Sequence, residues 1–221
     1  MRFNSQYLAY AFTPGPVDAP WPGPLRLFTV DIGLLYLPTG RLVACDPLAC
    51  PELEPFSVPL PIGRYPVSLQ VADLGGDQRV AFACIRFTED SPASWQLLAR
   101  PGQDLASLEE DEYFGYPVDA GTGAFMDAST NHALLQRYHR DSTYSDTVIA
   151  AMRDTYVDTW DWAELTPEPA DQGNFFAFHS GFGDGSYPTF LGRAPGGAAA
   201  AVVTDFMVFE RPKAGTGASA A

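Results

Sequence analysis

The chain has 221 residues, of which 46% are hydrophobic, and its formal net charge is −14. This length suits one large domain or two small ones, and the apolar content is sufficient for a packed core. The excess of acidic residues repels a phosphate backbone, which argues against nucleic acid as a partner. Basic proteins or metal cations fit this charge better, and the competing interpretation is that the charge serves solubility alone.

Proline is frequent in the first 24 residues, which predicts an extended or looped lead-in because proline fixes φ and removes a backbone donor. After it, apolar runs separated by turn residues predict a series of strands up to about residue 87. Thr39-Gly40 lies between two of these runs and predicts a hairpin. Gly75-Gly76-Asp77 predicts a second turn between strands.

The middle of the chain carries helical patterns over residues 127–140 and 145–157, and Asp127 stands where the first helix needs an N-cap. Strand patterns return at residues 174–178, 187–191 and 198–209. The Gly/Ala/Ser-rich tail, residues 212–221, is typical of disorder.

The order of these patterns predicts one α+β domain over residues 25–211, preceded by the lead-in at residues 1–24. We expect mostly antiparallel β-sheet or a sandwich, with two or three helices inserted in the middle of the chain. No linker divides the chain into two domains.

Two Gly/Asp-rich segments, residues 116–127 and 179–192, are the strongest candidates for a functional site. Their candidate catalytic residues are Asp119, His179 and Asp184, because a histidine beside a carboxylate can act as a general base. The competing interpretation is structural. Asp184-Gly185 between aromatic runs predicts a type I′ hairpin turn, and this interpretation is favoured for that pair.

The candidate ligand-binding residues share backbone freedom or an aromatic face and are Gly121, Gly123, Gly181, Gly183 and Tyr187. The aspartate spacing does not match a calcium loop, and the glycine spacing does not match a phosphate loop. Cys45 and Cys50 lack a second ligand pair at zinc spacing. We therefore predict neither a metal site nor a cofactor.

The sequence contains no recognisable nucleophile, since Ser180 and Ser186 do not lie in a G-x-S-x-G elbow. Cys84 lies in an apolar run and is expected to be buried. The chain starts without the apolar core of a signal peptide, its cysteine count is odd, and no run is long enough to span a bilayer. We expect a cytoplasmic protein that does not bind membranes.

Five motifs in this order resemble the uncharacterised bacterial family known as domain of unknown function 4241 (DUF4241). They are residues 39–47, residues 61–67 (PIGRYPV), residues 118–127 (VDAGTGAFMD), residues 180–187 (SGFGDGSY) and Asp205-Phe206. The resemblance implies a compact bacterial single-domain protein. It implies no activity and no catalytic set.

The leading functional hypothesis is a non-catalytic binding protein, with an immunity-type inhibitor of a toxin as one form, because acidic charge accelerates capture of a basic partner. The alternative is a hydrolase or metal-dependent enzyme that uses the Asp/His cluster. A second alternative is a small-ligand sensor in which backbone amides beside the glycines meet an anion.

Overall fold

The structure is a computed structural model that describes residues 5–109, 112–168 and 173–210. Within these ranges the chain forms two β-sheets in which every strand pairing is antiparallel, together with two long α-helices. The predicted α+β class with mostly antiparallel sheet is therefore confirmed. The predicted disordered tail lies outside the described residues.

The first sheet contains eight strands, seven of which follow one another in a continuous order. In that order they are β1 (Gly15–Asp18), β2 (Pro24–Leu37), β4 (Gly63–Asp73), β5 (Gln78–Arg86), β12 (Ala199–Asp205), β11 (Gly185–Arg193) and β6 (Ser94–Leu97). The eighth strand, β7 (Gly115–Val118), pairs with the beginning of β11.

The second sheet has four strands in the order β3 (Leu42–Cys45), β8 (Thr122–Asp127), β10 (Phe175–His179) and β9 (Trp162–Leu165). The helices are α1 (Ser5–Leu8), α2 (Ala128–Arg140) and α3 (Tyr144–Arg153), with short 3-10 turns at Ala9–Phe12 and Leu105–Ser107. The Asp127 carboxylate accepts the Ser129 N–H at 2.9 Å, which confirms the predicted N-cap of α2.

Alternation along the strands of the second sheet builds three layers. Phe125 and Phe176 point to the large core shared with the first sheet. Their neighbours Met126 and Phe175 point the other way, into a second core that contains Leu134 of α2. Because successive strand side chains face opposite sides, the four-stranded sheet lies between the eight-stranded sheet and the long helices.

The proline-rich lead-in packs on the first sheet. Its β1 pairs with β2, with Gly15 opposite Leu27, and Val17 of β1 is buried. Tyr7 and Leu8 are also buried, in the core shared by the two sheets. The predicted extended lead-in thus contains a helical turn and a strand of the folded unit.

Both predicted hairpins are wrong in the same way. Thr39-Gly40 joins β2 of the first sheet to β3 of the second, and Asp184-Gly185 joins β10 of the second sheet to β11 of the first. The turn chemistry was correct at Thr39-Gly40, since Gly40 has φ +69°, but neither Asp184 nor Gly185 has the positive φ that a type I′ turn requires. In both cases the flanking strands lie in different sheets that face each other across the large core, so the chain crosses that core and does not form a hairpin.

Candidate functional site at the sheet crossovers

The two Gly/Asp-rich segments meet in space. The chain crosses from β7 to β8 at residues 119–121 and from β10 to β11 at residues 180–184, so both segments are crossovers between the sheets. The Gly121 N–H donates to Asp184 Oδ1 at 3.0 Å, and the Ser180 N–H donates to the Gly121 carbonyl at 3.1 Å. A Cβ on Gly121 would lie 3.7 Å from Gly183 Cα, so the two backbones are in contact.

A buried carboxylate holds the first crossover in place. Asp46, which follows β3, is fully buried. Its Oδ2 accepts the N–H groups of Asp119 at 3.0 Å and Ala120 at 2.7 Å. Its Oδ1 accepts those of Leu48 at 2.9 Å and Ala49 at 3.1 Å. Four backbone donors stabilise this carboxylate, and these bonds fix the backbone geometry of the first crossover.

Sequence reasoning did not identify Asp46 as part of the site. The available signal was an aspartate directly after a strand and before Pro47, because aspartate often accepts backbone N–H groups two and three residues ahead. The longer contact, to residues 119 and 120, has no local signal.

Asp119 and Asp184 are both exposed, and they contribute differently to the junction, which is the contact between residues 119–121 and residues 180–184. Asp184 uses its carboxylate to accept the Gly121 N–H. Asp119 contributes its backbone N–H to Asp46. The structure therefore brings these predicted residues to neighbouring crossovers and gives Asp184 a backbone partner there.

His179 pairs with an aspartate that the sequence did not single out. Its ring Nδ1 lies 3.3 Å from Asp161 Oδ1, and its backbone N–H donates to the Asp161 carbonyl at 3.0 Å. The imidazole is partly exposed at the end of β10, where His179 stands opposite Thr122 of β8. Thus the hydrogen-bond partner of His179 is Asp161 rather than Asp119 or Asp184.

Tyr187 stabilises the second crossover by a hydrogen bond to its backbone. Its hydroxyl donates to the Gly183 carbonyl at 2.7 Å, and Ser180 Oγ donates to the same carbonyl at 2.9 Å. Burial, reinforced by the charge of Asp184, raises the pKa of Tyr187 to about 12. Tyr187 therefore stays protonated as a donor to the backbone over the physiological range.

Two of the candidate glycines are required by packing. A Cβ on Gly123 would lie 2.7 Å from the Tyr116 hydroxyl oxygen, inside the core. Gly181 has φ +55°, and a Cβ there would lie 2.9 Å from the Phe206 carbonyl oxygen. Gly183, with φ +113°, has open space on its Cβ side. Close chain packing explains the first two, and left-handed backbone explains the third.

The outer face of the second crossover carries an exposed aromatic pair, Trp21 and Phe182. Their rings are 50% and 49% exposed, with centroids 5.9 Å apart. The Arg79 guanidinium lies 5.3 Å from the Phe182 ring and is itself paired with Asp77. Large aromatic side chains this exposed are typical of interaction surfaces.

Comparison with known families supplies the identity of the domain. Residues 35–204 match the family described as protein of unknown function (DUF4241). The chain belongs to this family. The DUF4241 match includes both crossovers, Asp46 and Phe182, whereas Trp21 lies before it. No curated protein and no solved structure matches the chain.

Within the described ranges, no group of three or more His, Cys, Asp and Glu side chains is arranged to hold a metal ion. The described helices include none that is long and apolar enough to cross a membrane. The cysteines Cys45, Cys50 and Cys84 are all free, and burial raises the thiol pKa of Cys45 and Cys84 well above the usual range.

Proposed function

We propose that this DUF4241 protein is a non-catalytic binding protein that captures a basic partner protein. An immunity-type inhibitor of a toxin is one form of such a protein. The observation that carries the proposal is the exposed Trp21–Phe182 pair, in which Phe182 lies on the second crossover, in a chain with net charge −14. Aromatic anchors supply contact area, and acidic charge accelerates encounter with a basic surface.

The contacts of two of the three candidate catalytic residues favour binding over acid–base chemistry. Asp184 accepts the Gly121 N–H and Asp119 donates its backbone N–H to Asp46, whereas His179 lies beside Asp161 at the end of β10. These bonds make the junction rigid. A rigid surface loses little conformational entropy when a partner docks, which favours affinity.

The dependence of the association rate on salt concentration and on surface charge tests this proposal. A partner captured from the native host is purified, and its association with the chain is followed by stopped-flow fluorescence at low and high salt. Asp18→Asn/Asp119→Asn/Glu210→Gln neutralises three exposed acids, and we expect roughly threefold to tenfold slower association at low salt.

A matched variant separates local charge from net charge. Glu89→Gln/Asp90→Asn/Asp154→Asn also removes three exposed acids, but none of them adjoins the aromatic pair in sequence or lies on either crossover. We expect a smaller effect from it. Equal rates for the wild type and both variants would refute electrostatic capture, and turnover of the captured protein would refute a non-catalytic role.

A further inference from the structure

A cleft of about 270 Å³ opens beside the end of β12. Its lining combines aromatic rings, one thioether and two carboxylates, from Tyr7, Trp21, Tyr113, Asp205, Met207, Phe209 and Glu210. Six of these seven described residues lie outside the span 35–204 that matches the family. The cleft is therefore built mainly from the lead-in and the end of the described chain.

The aromatic walls of the cleft are fixed by mutual packing. The Tyr7 and Phe209 rings are tilted, with centroids 5.5 Å apart, and both side chains are buried. Trp21 is half exposed at the rim, and the Glu210 N–H donates to the Trp21 carbonyl at 2.9 Å. This backbone bond holds the Glu210 segment beside Trp21.

The floor of the cleft holds a buried acid and an unusual backbone. Asp205 Oδ1 accepts the Met207 N–H at 2.8 Å and the Tyr7 hydroxyl at 3.3 Å. Met207 has φ +54°, a left-handed conformation that few residues other than glycine adopt. Strained backbone of this kind is concentrated at ligand-binding sites.

The chemistry of the lining selects an organic cation. Among the described residues that line it, two are carboxylates and none is basic. Aromatic faces attract ammonium and guanidinium groups, and adjacent carboxylates strengthen that attraction. The volume of about 270 Å³ falls below the roughly 300–1,000 Å³ of typical small-molecule pockets, so it suits one side chain better than a cofactor.

We propose that this cleft receives a lysine or arginine side chain of the partner protein. The proposal rests on the proposed function, because it identifies the contact by which a basic partner is anchored. The exposed Trp21–Phe182 pair then forms the rim of the same interface, since Trp21 belongs to both the pair and the cleft.

The first test uses small cations as probes of the full-length chain. n-Butylguanidinium and n-butylammonium are titrated while the indole NMR signal of Trp21 is followed, with butyrate as an anionic control. We expect saturable millimolar binding of both cations and none of butyrate. Absence of a cation-dependent shift would refute cation binding in the cleft. Micromolar binding would indicate a site for a free small ligand and would refute the proposal that the cleft receives a side chain of a partner protein.

Two variants locate the probe. Glu210→Gln removes an exposed carboxylate from the cleft, and we expect about threefold to tenfold weaker cation binding. Glu89→Gln removes an exposed carboxylate that does not line the cleft and should leave binding unchanged. Equal affinities of the two variants would overturn the assignment.

Arg211 and Lys213 follow Glu210 in the sequence and lie outside the described residues. The same titration is therefore made with Arg211→Ala/Lys213→Ala. Unchanged affinity supports an external cation as the occupant. A higher affinity of this variant for the added cations would indicate that Arg211 or Lys213 competes for the cleft. That result would refute a partner side chain as the occupant.

The second test separates the anchor from the proposed function. Glu210→Gln and Trp21→Ala are each measured against the purified partner, and we expect faster dissociation in both. If the partner dissociates from both variants as slowly as from the wild type, the cleft does not anchor the partner, while capture of a basic partner stands. If the small cations bind but no basic partner is found, the cleft stands and the proposed function fails.

Discussion

At the scale of single residues, this fold buries charges against its own backbone. Asp46 is fully buried and accepts four N–H groups. Arg100, also buried, donates to the carbonyls of Ala44 at 2.7 Å and Glu54 at 3.1 Å, and burial lowers its pKa. Charge-assisted bonds to backbone offset the cost of removing an ion from water. Both residues therefore tie loops to the ends of strands.

Asp46→Ala is expected to destabilise the protein by about 3 kcal/mol or more, because it leaves four backbone donors without their acceptor. Asp184→Ala removes one bond from an exposed carboxylate and should cost about 1 kcal/mol. Urea unfolding of both variants measures the difference. Equal losses would show that Asp46 does not organise the crossover.

At the scale of elements, the crossovers are the features that sequence patterns misassign. The turn signal at Thr39-Gly40 was real, whereas neither Asp184 nor Gly185 has the positive φ of a type I′ turn. At both positions the chain passes to the other sheet. Gly40 shows the reason, because a Cβ there would lie 2.3 Å from the Leu60 carbonyl oxygen. The tight contact is with a segment twenty residues away in the chain, so no local pattern reports it.

Gly40→Ala should cost about 2–4 kcal/mol, since it combines a left-handed backbone with a clash against a main-chain oxygen. Gly75→Ala provides the matched control. Gly75 also has a positive φ, +87°, but has open space at the Cβ position, so we expect a loss of about 1 kcal/mol. Thermal unfolding of the two variants compares them. A Gly40→Ala loss no larger than that of Gly75→Ala would contradict the close packing.

At the scale of the whole molecule, the two hydrophobic cores share the four-stranded sheet. Phe176 belongs to the core facing the first sheet, and the adjacent Phe175 belongs to the core under the helices. Strands common to both cores couple them mechanically, since neither face can lose its packing without disturbing the other. The protein is therefore expected to unfold as one cooperative unit.

Leu134→Ala tests that coupling. The substitution empties part of the helix-side core and should cost about 3 kcal/mol. Trp160 lies in the other core, so tryptophan fluorescence reports that core, whereas far-UV circular dichroism also reports the two long helices. We expect the urea midpoints of both signals to fall together. Two separate midpoints would contradict coupling, and Leu34→Ala, at a residue 50% exposed, should shift neither signal appreciably.

Properties that depend on local patterns and composition could be predicted from the amino-acid sequence alone. Alternating apolar runs predicted the antiparallel sheets, and the helical period predicted α2 and α3. Asp127 was identified as a cap from its position directly before the helix, and its carboxylate accepts the N–H of Ser129, two residues ahead. Five ordered motifs indicated the family, and the matching span confirmed it.

Only the tertiary structure decided which strands share a sheet and which side chains meet. His179 bonds with Asp161 across 18 residues, and Asp184 with Gly121 across 63. Asp46 bonds with Ala120 across 74 residues, while Trp21 meets Phe182 and forms a cleft wall with Phe209. Such contacts follow from how two sheets and a helical layer bury their faces together. That choice is made by the sum of apolar burial over the chain, and no short pattern contains it.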